Sequence, residues 1–188
     1  MFRRFLILVL LGGAVIAAPS ADAQQLVAAG SEVAFKSKQM GVPVDGKFRK
    51  FDAQIAFDPK KPEAAKIGLT IDLASVSLGA AETDAEIVKP DWFDTAKFPQ
   101  ATFQSTAVKA VGPAKYEMTG TLTIKGTTQN VVVPFALAQA GANTTATGTF
   151  VIKRLDFRIG DGEWKDTSMV ANDVQVRFKL ALAGIGAL

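Results

Sequence analysis

The chain contains no cysteine and no histidine among its 188 residues. Without cysteine it cannot form a disulfide, carry a lipid on an N-terminal thiol or use a thiolate nucleophile. Without histidine it lacks the commonest general base, the Ser-His nucleophile systems and the usual zinc ligand. Carboxylates, lysines, hydroxyls and Tyr116 are the groups left for catalysis. We therefore expect no enzyme activity, no metal and no cofactor.

A strong charge of either sign is also missing. The chain has 21 Lys and Arg against 18 Asp and Glu, a formal net charge of +3. Its paired basic residues, Arg49 with Lys50 and Lys60 with Lys61, are too short a run to follow a nucleic-acid backbone. We expect no nucleic-acid partner.

The N-terminal segment has the three-part layout of an export signal. Arg3 and Arg4 precede an apolar run over residues 5–18, and small residues follow at Ala21 and Ala23. The run is shorter than the 18 or more apolar residues typical of a membrane-spanning helix. We predict a signal peptide over residues 1–23 and a mature domain over 24–188, exported to the periplasm with no integral membrane span.

Most of the remaining chain alternates apolar and polar residues, the period of a strand with one wet and one dry face. The alternating rows cover residues 33–35, 44–48, 51–57, 67–73, 101–105, 116–124, 131–137, 148–152 and 174–182. The phase slips near Arg49 and Lys50, which indicates a bulge or bend within one long strand. Lys125-Gly126 between two rows predicts a tight hairpin. These rows predict a single all-β domain of about eight antiparallel strands.

Eight such strands can close into a barrel, and a two-sheet sandwich is the alternative. A small outer-membrane barrel has the same period but carries aromatic girdles. Two Trp and one Tyr are too few for girdles, and Pro134 interrupts a row. The barrel with an apolar interior is favoured.

One long connection does not alternate. Thr83 or Asp84 can cap a short helix that Pro90 ends, and Asp91 can cap a further turn. The same connection carries an aromatic cluster, Trp92, Phe93 and Phe98. It therefore predicts one or two short helices and a lid over one end of the fold.

Two pairs of charged residues have a structural and a functional interpretation. Asp91 and Asp94 could act as an acid–base pair, but capping of short helical turns is favoured. Arg154 and Asp156 stand two apart in a predicted strand and would share one face. A structural ion pair is favoured there over contact with a ligand headgroup.

Four blocks of sequence resemble the YceI-like family. They are FKSKQMGVPVDGKFRKF (35–51), DWFDTAKFPQATFQST (91–106), GTLTIKGTT (120–128) and KRLDFRIGDGEW (153–164), and they occur in this order over nearly the whole mature chain. The resemblance implies an extended lipocalin-like barrel, export to the periplasm, and binding of a polyisoprenoid or similar long-chain lipid within the barrel. Family members often carry His before the Met-Gly turn, whereas this chain has Gln39 before Met40.

Apolar rows of period two suit both a filled core and the wall of a ligand cavity. Because such rows are ordinary core in most β proteins, the residues alone favour the filled core. The resemblance favours the cavity, and six small residues on the inward rows should leave room in it: Gly46, Ala53, Ala101, Ser105, Gly120 and Gly148. The candidate ligand-binding residues are Phe35, Met40, Phe48, Leu73, Trp92, Phe93, Phe98, Phe103, Met118, Leu122, Phe150 and Phe178.

Three functions stay open. The favoured one is a non-catalytic carrier of a long apolar lipid. The others are a periplasmic partner of a membrane redox protein that presents a quinone-like isoprenoid, and an enzyme of isoprenoid metabolism that uses carboxylates as acid and base. A homodimer is a further expectation.

Overall fold

The alternating rows form one antiparallel sheet. The computed structural model describes residues 24–188, so the predicted signal peptide, residues 1–23, lies outside the described residues. The strands are β1 (Gln25–Gln39), β2 (Val42–Phe48), β3 (Phe51–Ala56), β4 (Lys66–Asp72), β5 (Val76–Ser77), β6 (Gln100–Gly112), β7 (Lys115–Ile124), β8 (Thr127–Ala140), β9 (Asn143–Lys153) and β10 (Asp173–Ala183). The all-β antiparallel class is confirmed.

The sheet has ten strands in the order β3-β4-β6-β7-β8-β9-β10-β1-β2-β5, so the predicted count of eight is wrong. The bulge or bend predicted near Arg49 and Lys50 is a break between two strands. The strand before it, β2, pairs with β1 and β5, while β3 pairs with β4. The two-residue strand β5 adds the other unexpected element.

The break explains why the sheet curls. Strand β3 lies at one end of the sheet and β2 lies next to the other end, yet only Arg49 and Lys50 separate them in the chain. Both ends of the sheet must therefore meet. The N–H of Arg49 donates to the carbonyl of Ser75 at 3.1 Å, and the N–H of Asp72 donates to the carbonyl of Lys50 at 3.0 Å.

A side chain closes the same seam at its far end. The carboxamide nitrogen of Gln24 donates to the carbonyl of Phe57 at 2.7 Å. Its oxygen accepts from the N–H of Phe57, also at 2.7 Å. The carboxamide thus pairs with Phe57 as a neighbouring strand would, and joins the start of β1 to the end of β3.

Two hairpins have turns in which both central residues adopt positive φ. Lys125 (49°) and Gly126 (73°) form the predicted β7–β8 hairpin, which is confirmed. Met40 (48°) and Gly41 (80°) connect β1 to β2. Positive φ at both positions is the geometry of a type I′ turn, whose twist matches that of the paired strands.

The non-alternating connection contains the helix α1 (Ala81–Ile87), so the predicted short helix is confirmed. It begins before the predicted caps, and Ala80 occupies the N-cap without a side-chain hydrogen bond. The carboxylate of Asp84 instead accepts from the N–H of Leu78. Within residues 24–188, no helix is long and apolar enough to cross a membrane.

Candidate binding cavity

The inward rows enclose a cavity of about 410 Å³. Its wall is mostly Phe, Leu, Ile, Val and Met, and nine of the ten strands contribute to it. Pockets that bind small molecules typically have volumes of roughly 300–1,000 Å³ with apolar walls. The interior therefore has the size and chemistry to hold an apolar ligand.

Ten of the twelve candidate ligand-binding residues line this cavity. They are Phe35, Phe48, Leu73, Trp92, Phe93, Phe103, Met118, Leu122, Phe150 and Phe178. They come from β1, β2, β6, β7, β9 and β10, from the turn Leu73–Ser75 after β4 and from the connection before β6, and the sheet brings them to one cavity. Their contact with a ligand stays a prediction.

Met40 and Phe98 do not line the cavity, so the structure does not bring these two candidates together with the other ten. Met40 stands in the β1–β2 turn with 70% of its surface exposed, because the left-handed turn carries it beyond the body of the sheet. The ring of Phe98 lies instead over Gly126, in the β7–β8 turn.

The cavity wall at the helical end is aromatic. The ring centroids of Phe48 and Phe93 lie 6.0 Å apart, and those of Trp92 and Trp164 lie 5.3 Å apart. Trp164 was not predicted, because it follows a run of polar and glycine residues with no alternation. Leu78 and Ile87, which flank and end α1, line the same end.

Three phenylalanine rings meet glycines of neighbouring strands through the Cζ and Cε atoms at the tip of the ring. A Cβ built on each of these glycines would overlap the facing ring; the pairs are Phe35 on Gly46, Phe103 on Gly120 and Phe178 on Gly148. The glycines therefore do not leave open space, as was expected of them. They let the rings lie against the wall, and this keeps the middle of the cavity free.

Arg154 is a buried cation in the wall, only 2% exposed. Strand β9 ends at Lys153, so Arg154 opens a 3₁₀ turn (Arg154–Phe157) and the predicted strand pair with Asp156 is wrong. Its guanidinium donates five hydrogen bonds to backbone carbonyls; the acceptors are Ile159, Gly160, Trp164, Val170 and Ala171. Burial lowers the pKa of Arg154. Every N–H of the group is used, so its role here is to hold the following segment.

The acid–base pair considered as the alternative for Asp91 and Asp94 is not a feature of the cavity, since neither residue lines it. Residues 90–93 and 95–97 form turns rather than a second helix, so Asp91 has no helix to cap. Its carbonyl accepts from the N–H groups of Gly160 and Asp161, both at 2.8 Å. Asp94 is buried, and its carboxylate lies 3.7 Å from the Nζ of Lys97.

The cavity opens at one end. Of the residues that line it, only Lys38, Gln39 and Thr83 are exposed, and they belong to the end of β1 and to α1. The opposite end is closed by buried residues, among them Phe57, Leu182 and Ile185. We refer to the opening between the β1–β2 hairpin, α1 and Trp164 as the mouth.

Trp92 has one unsatisfied polar group. Its indole Nε1 is buried and has no hydrogen-bond partner within the described part of the chain. A buried donor without an acceptor costs about 1–3 kcal/mol. An oxygen atom of a ligand beside Trp92 would remove that cost.

Comparison with known proteins gives a consistent assignment. The sequence pattern of the YceI-like domain matches residues 24–182. The UPF0312 protein of Azotobacter vinelandii is 37% identical to the chain over 138 residues, which are 71% of this chain and 72% of that protein.

Solved structures share the fold. The crystal structure of Burkholderia cenocepacia BcnA has 47% sequence identity and a TM-score of 0.81, and covers 84% of this chain and 99% of its own. A polyisoprenoid binding domain from Saccharophagus degradans, implicated in plant cell wall breakdown, has 20% identity and a TM-score of 0.70 over 86% of this chain and 98% of its own. At that identity the second likeness shows the fold alone.

Proposed function

The chain belongs to the YceI-like family, as its four sequence blocks predicted, and we propose that it is a non-catalytic carrier that holds a long-chain isoprenoid lipid inside the curled sheet. The observation that carries the proposal is a continuous apolar cavity with one mouth. An isoprenoid tail has no hydrogen-bonding groups, so it needs only apolar walls and exclusion of water. Each buried CH₂ contributes about 0.8 kcal/mol to binding.

The periplasm is part of the same proposal. The predicted cleavage after Ala23 would leave Gln24 as the first residue, and the YceI-like pattern also matches from residue 24. Its carboxamide bonds to Phe57 give the mature N-terminus a defined place in the sheet.

An enzyme of isoprenoid metabolism has less support. Among the residues that line the cavity, Glu86 is the one carboxylate, and it lies on α1 at the mouth rather than in the interior. General acid–base chemistry needs a proton donor or acceptor within hydrogen-bond reach of the reacting atoms.

A quinone-like isoprenoid is the second candidate ligand, and the indole of Trp92 favours it. The unpartnered Nε1–H would be satisfied by a carbonyl or hydroxyl oxygen but not by a pure hydrocarbon. This observation supports an oxygen-bearing isoprenoid as the cargo, which is the form a redox partner in the membrane could use.

The test combines extraction of lipid from the purified protein with a binding assay. Protein purified from its native periplasm should show the mass of a chain starting at Gln24 and release an isoprenoid on solvent extraction. A prenyl alcohol should quench tryptophan emission, because Trp92 and Trp164 stand in the cavity wall, and should bind more tightly than a prenyl hydrocarbon of equal length. Absence of extractable lipid together with no quenching by either compound would contradict the carrier function. The homodimer stays a prediction, to be checked by light scattering.

A further inference from the structure

We propose that the rim of the mouth docks on the surface of a lipid bilayer. The inference rests on the proposed carrier function and adds the source from which the cargo enters. A long isoprenoid is nearly insoluble in water, so a carrier with one opening should place that opening against the membrane that contains the lipid.

The apolar wall of the cavity continues outward onto the β1–β2 hairpin. Val44 lines the cavity and is half-buried. Val42 follows the same face of β2 two residues nearer the turn, and 64% of it is exposed. Met40 in the turn is 70% exposed. Apolar side chains thus extend from the interior to the outermost point of the hairpin.

The rim is a fixed structure rather than a loose loop. The N–H of Met40 donates to the carbonyl of Met169 at 2.7 Å, and the N–H of Ala171 donates to the carbonyl of Lys38 at 2.9 Å. These bonds join the hairpin to the segment that Arg154 holds in place. They also bring Met169, which is 40% exposed, beside Met40. Met40, Val42 and Met169 are thus three exposed apolar residues on the joined segments at the mouth, and we call them the rim patch.

The size of the rim patch favours a bilayer over a protein. A protein interface of standard size buries roughly 800 Å² on each partner, and three side chains cannot supply that area. A few apolar side chains that enter the boundary of a bilayer are sufficient for reversible peripheral binding. The unbranched, flexible methionine side chain adapts to such a boundary.

The charges around the rim patch nearly cancel. Lys38 and Lys165 are exposed there, and so are Glu163 and Asp166. The bilayer is therefore recognised through apolar insertion rather than through anionic headgroups. Binding should depend little on salt, since Debye screening weakens only the attraction between exposed charges.

The experiment measures co-sedimentation of the mature protein with vesicles of phosphatidylcholine, alone or mixed with phosphatidylglycerol. The test variant is the double substitution Met40→Asn and Val42→Thr. Asn suits the left-handed turn, Thr suits the strand, and neither position lines the cavity. We expect the native chain to bind both vesicles at low and high salt, and the variant's partition coefficient to fall about tenfold or more.

The matched control is Val111→Thr with Val132→Thr. These valines are exposed to 57% and 53%, and they lie at the β6–β7 turn and on the outer face of β8, away from the mouth. The control should bind vesicles as the native chain does. Equal loss in both variants, or no loss in the rim variant, would overturn the docking proposal.

Farnesol added without vesicles separates this proposal from the carrier function. All three proteins should bind it equally, because the cavity wall is unchanged. Failure of the native chain to bind farnesol would count against the carrier function itself. Farnesol binding without vesicle binding would overturn only the docking. Dimerisation of the native chain that the rim variant abolishes would also overturn it, since a second copy would then cover the rim patch.

Discussion

At the scale of single residues, the cavity depends on glycines that carry no part of its wall. The sequence shows Gly46, Gly120 and Gly148 on inward rows, which led to the expectation of free space beside them. The space is instead taken by the tip of a phenylalanine ring. Which ring covers which glycine depends on strand pairing, and the sequence alone does not fix that pairing.

Gly46→Ala should lower ligand affinity several-fold while the fold survives. The three atoms nearest to the new Cβ all belong to the ring of Phe35, whose side chain can rotate away from β2 into the cavity and occupy ligand volume. Titration of a prenyl alcohol by tryptophan emission measures the affinity, and circular dichroism measures the fold.

Two matched variants separate ring displacement from strand strain. In Gly120→Ala the Cβ would also meet the backbone carbonyl of Gln104, so β7 must shift and the free energy of unfolding should fall by about 1–3 kcal/mol. Gly112→Ala meets nothing closer than Lys115 and should change neither property. Unchanged affinity in Gly46→Ala would show that the Phe35 ring finds room outside the ligand volume.

At the scale of elements, the sequence showed where the apolar alternation is interrupted, but it did not show which structure causes the interruption. The phase slip at Arg49 and Lys50 was placed correctly, yet a bulge and a break shift the alternation by the same one residue. The segment from Lys153 to Asp173 was the hardest, because its apolar residues do not alternate and its organising contacts run from Arg154 to backbone carbonyls. Every residue has a backbone carbonyl, so the sequence does not indicate which carbonyls accept from Arg154.

Arg154→Met should destabilise this segment by about 2–5 kcal/mol, since it removes every donor to five carbonyls at once. Arg154→Lys should recover only part of the loss, because an ammonium group has fewer donors and no planar fork. Urea unfolding gives the magnitude, and hydrogen exchange over residues 159–171 should show where protection is lost.

Asp156→Asn is the control that distinguishes the carbonyl-binding role of Arg154 from the ion pair with Asp156 that the sequence favoured. If a pair with Asp156 were important, both substitutions would destabilise the chain to a similar degree. The structure instead places Asp156 on the exposed side of the turn, so its replacement should be nearly neutral. A comparable loss in both variants would contradict the carbonyl-based role.

At the scale of the whole molecule, the class of fold and the family were predictable, because alternation fixes which face is dry and four ordered blocks fix the family. Most of the wall was predictable for the same reason, as Phe103, Met118 and Leu122 illustrate. Whether the interior is filled was not predictable. A packed core and a cavity wall carry the same apolar rows, and the difference lies in how the sheet curls between β2 and β3.

Filling the interior tests that difference on the intact protein. Ala101 is buried, lines the cavity and pairs with Ile71 on β4. In Ala101→Leu the larger side chain should enter free volume, so the ligand-free melting temperature should stay constant or rise.

A ligand at about 100 times its Kd stabilises the native chain by about 2.7 kcal/mol, which raises the melting temperature by roughly 5–10 °C for a chain of this size. That rise should largely disappear in Ala101→Leu and persist in Val132→Leu, which enlarges an exposed residue on the outer face. If the ligand-free Ala101→Leu variant melts several degrees lower than the native chain, the site was already packed, because overpacking a filled core costs about 1–3 kcal/mol.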